Sequence, residues 1–115
     1  MDMERLDALQ DLLAFDKPIS VLAHNLPKFD WDYEGQPLIV TASQVQKVLK
    51  RFLDEEVSTQ ELVDWANLIE CREDLEFESG KHDKIANVIH ILANPTIERM
   101  LTPEYCKELI NILDG

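Results

Sequence analysis

The chain has 115 residues, 45% of them hydrophobic and 30% charged, with 23 acidic against 11 basic side chains and a formal net charge of −12. That length suits one domain with a core of its own, and that charge argues against nucleic acid or an anionic membrane as a direct partner, since both would repel it. No apolar run approaches the ~20 residues needed to cross a bilayer, and the charged, amphipathic start Met-Asp-Met-Glu-Arg-Leu does not read as a secretory signal, so a cytoplasmic protein is expected.

Met3, Leu6, Leu9, Leu12 and Leu13 recur at helical spacing and predict an amphipathic helix over 2–14, broken by Asp16-Lys17-Pro18. Ile19, Leu22, Ala23 and Leu26 predict a second, shorter helix that stops at Pro27. Residues 15–20 (FDKPIS) align position by position with 53–58 (LDEEVS), and this echo favours Ser20 as a helix cap.

Residues 30–35 read DWDYEG and open like a calcium loop, with Asp30, Asp32 and Glu34 alternating ahead of Gly35. Such a loop also needs oxygen ligands at its ninth and twelfth positions. Those positions hold Leu38 and Thr41, so no metal is predicted. Phe29, Trp31 and Tyr33 alternate with the three acids, which is the period of a half-buried strand. A turn at 34–36 would let Leu38-Ile39-Val40 return as its partner, giving a short hairpin or extended loop over 28–40.

From there the helix signals sharpen. Thr41 and Gln44 form a capping box, Val40 can staple against Val45, and Val45, Val48, Leu49 and Phe52 line one face of a helix over 42–53. Asp54-Glu55-Glu56 connects it to a helix capped by Ser58 and Glu61, with Leu62, Trp65, Ala66 and Ile69 on its buried face. That helix is expected to end near Arg72, where Leu75 and Phe77 alternate with acids in an extended or single-turn segment. Ile85, Val88, Ile89 and Leu92 mark a helix over 82–93, and Asn94-Pro95 opens a helical turn through Met100. Thr102-Pro103 starts the last helix, with Tyr105, Leu109, Ile112 and Leu113 facing inward.

Together these predict one all-α domain over 1–115, a bundle of five to six helices. Its expected core includes Leu49, Phe52, Leu62, Trp65, Ala66, Ile69, Val88, Ile89, Leu92, Leu109 and Ile112.

The chain shows no nucleophile elbow, glycine-rich phosphate loop or HExxH. His24, His82 and His90 fall on three separate segments, and His90 flanks the apolar stripe of its helix, where a core or boundary histidine is expected rather than a general base. Cys71 and Cys106 lack metal-ligand spacing and are expected as reduced, partly buried thiols. No catalysis and no cofactor are therefore expected. Charge is the feature left over. Residues 54–83 carry eleven acids and two bases, a net of −9, against −2 for 1–53 and −1 for 84–115. The plain reading is a solvated face that keeps the chain soluble. The functional reading is a docking face for a basic partner, built from Asp54, Glu55, Glu56, Glu70, Glu73, Asp74, Glu76 and Glu78.

Residues 58–78 (STQELVDWANLIECREDLEFE) contain a WAN-x-IE-x-RED core, preceded by Val48-Leu49-Lys50-Arg51-Phe52-Leu53 and followed by Leu92-Ala93-Asn94-Pro95. Over about 38–113 this pattern resembles small acidic helical immunity proteins of polymorphic bacterial toxin systems, including those of contact-dependent growth inhibition. The resemblance implies a cytoplasmic protein that binds and neutralises a toxin domain. Many such toxins are nucleases with basic surfaces, which an acidic face can occupy. Aromatic anchors usually accompany charge in a tight interface. Trp31, Tyr33 and Phe77 lie among acids, and Asp30, Asp32 and Glu34 would frame the first two. The alternative is an acidic adaptor or regulatory module that binds a basic region of another cytoplasmic protein.

Overall fold

The computed structural model describes residues 3–25, 37–70, 72, 75–94 and 101–114. Among them lie six helices and one pair of strands: α1 (Met3–Ala14), α2 (Ile19–Asn25), β1 (Leu38–Val40), α3 (Ala42–Leu53), α4 (Thr59–Ile69), β2 (Leu75–Phe77), α5 (His82–Ala93) and α6 (Pro103–Asp114). The all-α architecture expected from the sequence is present, with a two-stranded sheet added to it. None of the described helices is long and apolar enough to cross a membrane.

The sequence caps do what their chemistry predicts. At α3 the Thr41 hydroxyl accepts the Gln44 N–H at 3.2 Å, and the Gln44 side chain accepts the Thr41 N–H at 2.9 Å. At α4 Ser58 and Glu61 make the same reciprocal pair, both at 3.1 Å. Thr102 accepts the Tyr105 N–H at 3.1 Å and starts α6. Each cap satisfies donors that a helix start leaves orphaned and contributes on the order of 1 kcal/mol.

Trp65 sits at the centre of the core with no exposed surface. Its indole N–H donates to the Leu12 carbonyl at 2.6 Å, and its ring stacks on Phe15 with centroids 6.2 Å apart. One side chain thus fastens the end of α1 to α4. α6 is held against α3 by the Gln46 amide, which donates to the Ile110 carbonyl at 3.0 Å and to Asp114 at 2.7 Å. The Cys106 thiol donates to the Leu49 carbonyl at 3.4 Å, so the two helices run in opposite senses.

Four local expectations are corrected. Ile112 is 41% exposed. The buried face of α6 is Cys106, Leu109 and Leu113, and Ile112 lies ~100° round the helix from Leu113. Phe52 is half-buried against the core rather than within it. Ser20 does not cap α2, which already begins at Ile19, with the Val21 and Leu22 N–H groups donating to the Pro18 carbonyl. Leu38–Val40 does form a strand, but its described partner is β2, in parallel register, rather than a returning hairpin. Alternation explains the pairing: Val40 is fully buried, Leu38, Leu75 and Phe77 pack against the core, and Ile39 and Glu76 face outward. The other half of the expected hairpin, and the helical turn expected over 95–100, lie outside the described residues.

Candidate functional site

The structure distributes the described acids of the stretch over three places. Asp54, Glu55 and Glu56 form an exposed corner between α3 and α4. Glu70 caps the C-terminal end of α4, beside His90 and Asn94 at the end of α5, whereas Glu76 and Glu78 lie on and just after β2, beside the starts of α3 and α5. The described acids of the stretch thus gather at three poles: the α3–α4 corner, the end of α4, and β2.

The poles differ in what their carboxylates do. At the first, α3 ends with the Glu55 N–H donating to the Phe52 carbonyl at 3.1 Å and the Glu56 N–H to the Arg51 carbonyl at 2.9 Å. This is a Schellman ending, which places Glu55 in the left-handed region at φ +65°. Among the described residues, none accepts or donates a hydrogen bond to the Asp54, Glu55 or Glu56 side chains. They face water.

At the other two poles the acids are partly employed. Glu70 lies 3.5 Å from the His90 ring nitrogen and accepts the Asn94 amide at 3.4 Å, which ties together the C-terminal ends of α4 and α5. Glu78 is half-buried and accepts the Ala42 N–H at 3.0 Å, holding the first turn of α3. A carboxylate there is favoured by the orphaned N–H groups and the positive end of the helix dipole. Glu78 is thus a structural anchor, and Glu76, exposed on the outer face of β2, is the freer charge. Elsewhere in the stretch Glu61 serves its capping box, and Asp64 accepts the Gln60 amide at 2.9 Å.

Glu73 and Asp74 lie outside the described residues, as do all five members of the second expected cluster, Asp30, Trp31, Asp32, Tyr33 and Glu34. Phe77 is half-buried, edge-on to His82 at 5.5 Å, so it is more core than anchor. Sequence reasoning missed Ile39, 43% exposed directly across the strand pair from Glu76. The alternation of 38–40 carried that signal, but only the pairing shows which face is wet.

Other groups offer little reactive geometry. Cys106 is a free, fully buried thiol, and burial pushes its pKa up from 9.0 to about 11. Among the described residues, no three His, Cys, Asp or Glu side chains converge as metal ligands. A depression of about 330 Å³ opens at the start of α5, lined by the consecutive residues Gly80 to Lys84. It is bounded by one turn of chain and does not enclose a ligand.

No protein family, curated protein or solved structure matches this chain.

Proposed function

We propose that this chain is an immunity protein: it binds a cognate bacterial toxin domain with a basic surface, a nuclease by class, and neutralises it by occupying that surface. It performs no chemistry of its own and acts in the cytoplasm. The observation that carries this reading is the unemployed charge at the α3–α4 corner, where the side chains of three consecutive exposed acids make no bond within the described fold. Glu55 even holds a left-handed conformation that glycine would adopt at lower cost. The fold needs a turn there but does not need carboxylates.

The physical role of such charge is kinetic first. A nuclease must present cations to hold phosphates, and a dense carboxylate field opposite those cations steers encounter, raising association toward ~10⁸–10⁹ M⁻¹s⁻¹ at low salt. Speed matters to an inhibitor that has to act before its target does. The resemblance of 38–113 to immunity proteins points the same way.

The test begins with the toxin domain encoded beside this chain's gene. Co-expression should relieve its toxicity, and stopped-flow mixing should show association slowing steeply toward physiological salt, where the Debye length is ~8 Å. Replacing Asp54, Glu55 and Glu56 by lysine should slow association several-fold while leaving thermal unfolding unchanged. A triple variant that associates at the wild-type rate would remove the corner from the interface. Failure to relieve toxicity would end the immunity reading and favour the adaptor.

A further inference from the structure

The strand pair leaves one edge uncovered among the described residues. Leu38, Ile39 and Val40 pair in parallel with Leu75, Glu76 and Phe77, and the Glu78 N–H donates to the Val40 carbonyl at 2.9 Å. In a parallel ladder, alternate residues of a strand turn both backbone groups toward the neighbour. Glu76 and Glu78 therefore face β1, and Leu75 and Phe77 aim their N–H and C=O away from it. The opposite edge is poorer. β1 offers only Ile39, flanked by Pro37, which has no N–H, and by Thr41, whose N–H is taken by Gln44. The outer face of the pair is also open, since Ile39 and Glu76 are both exposed. Parallel strands are normally covered on both faces, and two strands alone are marginal.

We propose that the β2 edge accepts an extended, lysine- or arginine-bearing segment of a partner protein as a third strand. The segment bonds to the backbone of Leu75 and Phe77 and lays its basic side chains beside Glu76. Charge selects the occupant: residues 70–83 carry six acids and two bases. A second copy docking β2 against β2 would bring one Glu76 toward another, and like charges directly opposite are destabilising. A basic strand meets the opposite condition. Its backbone bonds give affinity without demanding a sequence, and Glu76 with the exposed Ile39 supplies preference for a cationic, partly apolar face. The inference rests on the docking reading above for the partner's basic character, and it adds where and how the backbone is held.

The experiment is amide hydrogen exchange followed by NMR on the full chain, first alone and then with a capped six-residue peptide of alternating lysine and valine. Alone, the Glu78 N–H should be protected and the Phe77 N–H should exchange nearly as fast as in an unfolded chain. With the peptide, the Leu75 and Phe77 resonances should shift, and Phe77 exchange should slow by at least about tenfold. A glutamate–valine peptide should do neither. The lysine–valine peptide with the edge-facing nitrogens methylated should fail as well, and Glu76→Lys should weaken binding of the unmodified peptide several-fold. A Phe77 amide as protected as that of Glu78 in the free protein would show the edge already covered and overturn the proposal. So would shifts confined to the 54–56 corner, no binding at all, or equal binding of the glutamate peptide. A chain that relieves toxicity yet leaves the Phe77 amide untouched would keep the immunity reading and discard this one.

Discussion

Two helices in this molecule end on a non-glycine residue in the left-handed region, Phe15 at φ +53° after α1 and Glu55 at φ +65° after α3. The hydrogen bonding is the same at both. Phe15 and Asp16 donate back to Leu12 and Asp11, as Glu55 and Glu56 donate back to Phe52 and Arg51. The side chains are opposites. Phe15 is 3% exposed, stacked on Trp65, with the Arg51 guanidinium 5.4 Å above its ring and bonded to its carbonyl at 2.7 Å. The Glu55 side chain is exposed and makes no bond within the described fold. A left-handed L-residue costs roughly 1–2 kcal/mol. At Phe15 core packing returns that cost many times over. At Glu55 only the two backbone bonds of the turn offset it, and the carboxylate adds no bond within the described fold.

The contrast can be broken from either side. The largest effect is expected for Phe15→Ala, which empties the space beside Trp65 while leaving the strained backbone, and it should cost about 3–5 kcal/mol in urea unfolding. A loss under about 1 kcal/mol would mean the ring is not core. Arg51→Ala removes the bond to the Phe15 carbonyl and the cation over its ring, and should cost about 1–2 kcal/mol by the same measurement.

Glu55→Gly should go the other way, raising stability by about 0.5–1 kcal/mol, because the relief of left-handed strain exceeds the entropy glycine adds to the unfolded chain. The same variant should associate more slowly with a basic partner, separating stability from binding at one residue. The last effect is confined to alkaline pH and comes from the core thiol. Cys106 ionises at about 11 when folded against an ordinary 9.0. The raised value means its contribution is fully present below about pH 9 and is lost as pH rises through about 11. Unfolding midpoints measured across that window should fall in wild type, and less in Cys106→Ala.

Local signals in the sequence were legible where one helix turn contained all the partners. Thr41 with Gln44, Ser58 with Glu61, and Thr102 before Pro103 each close within four residues, and the starts of α3, α4 and α6 follow them. The stripes of α4 and α5 likewise point to the residues that are buried. Periodicity was less decisive on α6, where Ile112 and Cys106 flank the same stripe and only the position of α3 selects Cys106. Ser20 carried the right chemistry for a cap at the wrong place, because α2 begins at Ile19, two residues earlier than the echo implied, on the Pro18 carbonyl. The three acidic poles were not separable by counting charges. Glu78 reads as one more carboxylate until its partner, 36 residues away, is seen to be the Ala42 N–H. Parallel pairing was equally out of reach, since a strand of three residues does not announce its neighbour.

The long-range bonds that close the molecule also set the order in which it can assemble. Trp65 reaches Leu12 across 53 residues, Cys106 reaches Leu49 across 57, and Gln46 reaches Asp114 across 68. All three run from one end of the chain to the α3–α4 region, whose own caps and corner are local. Closing loops of that length costs entropy before any contact repays it. The α3–α4 segment is therefore expected to form the folding nucleus, with α1 and α6 docking afterwards as two late arrivals. Mutations in the Ser58 cap should then slow folding, while Gln46→Ala should chiefly speed unfolding.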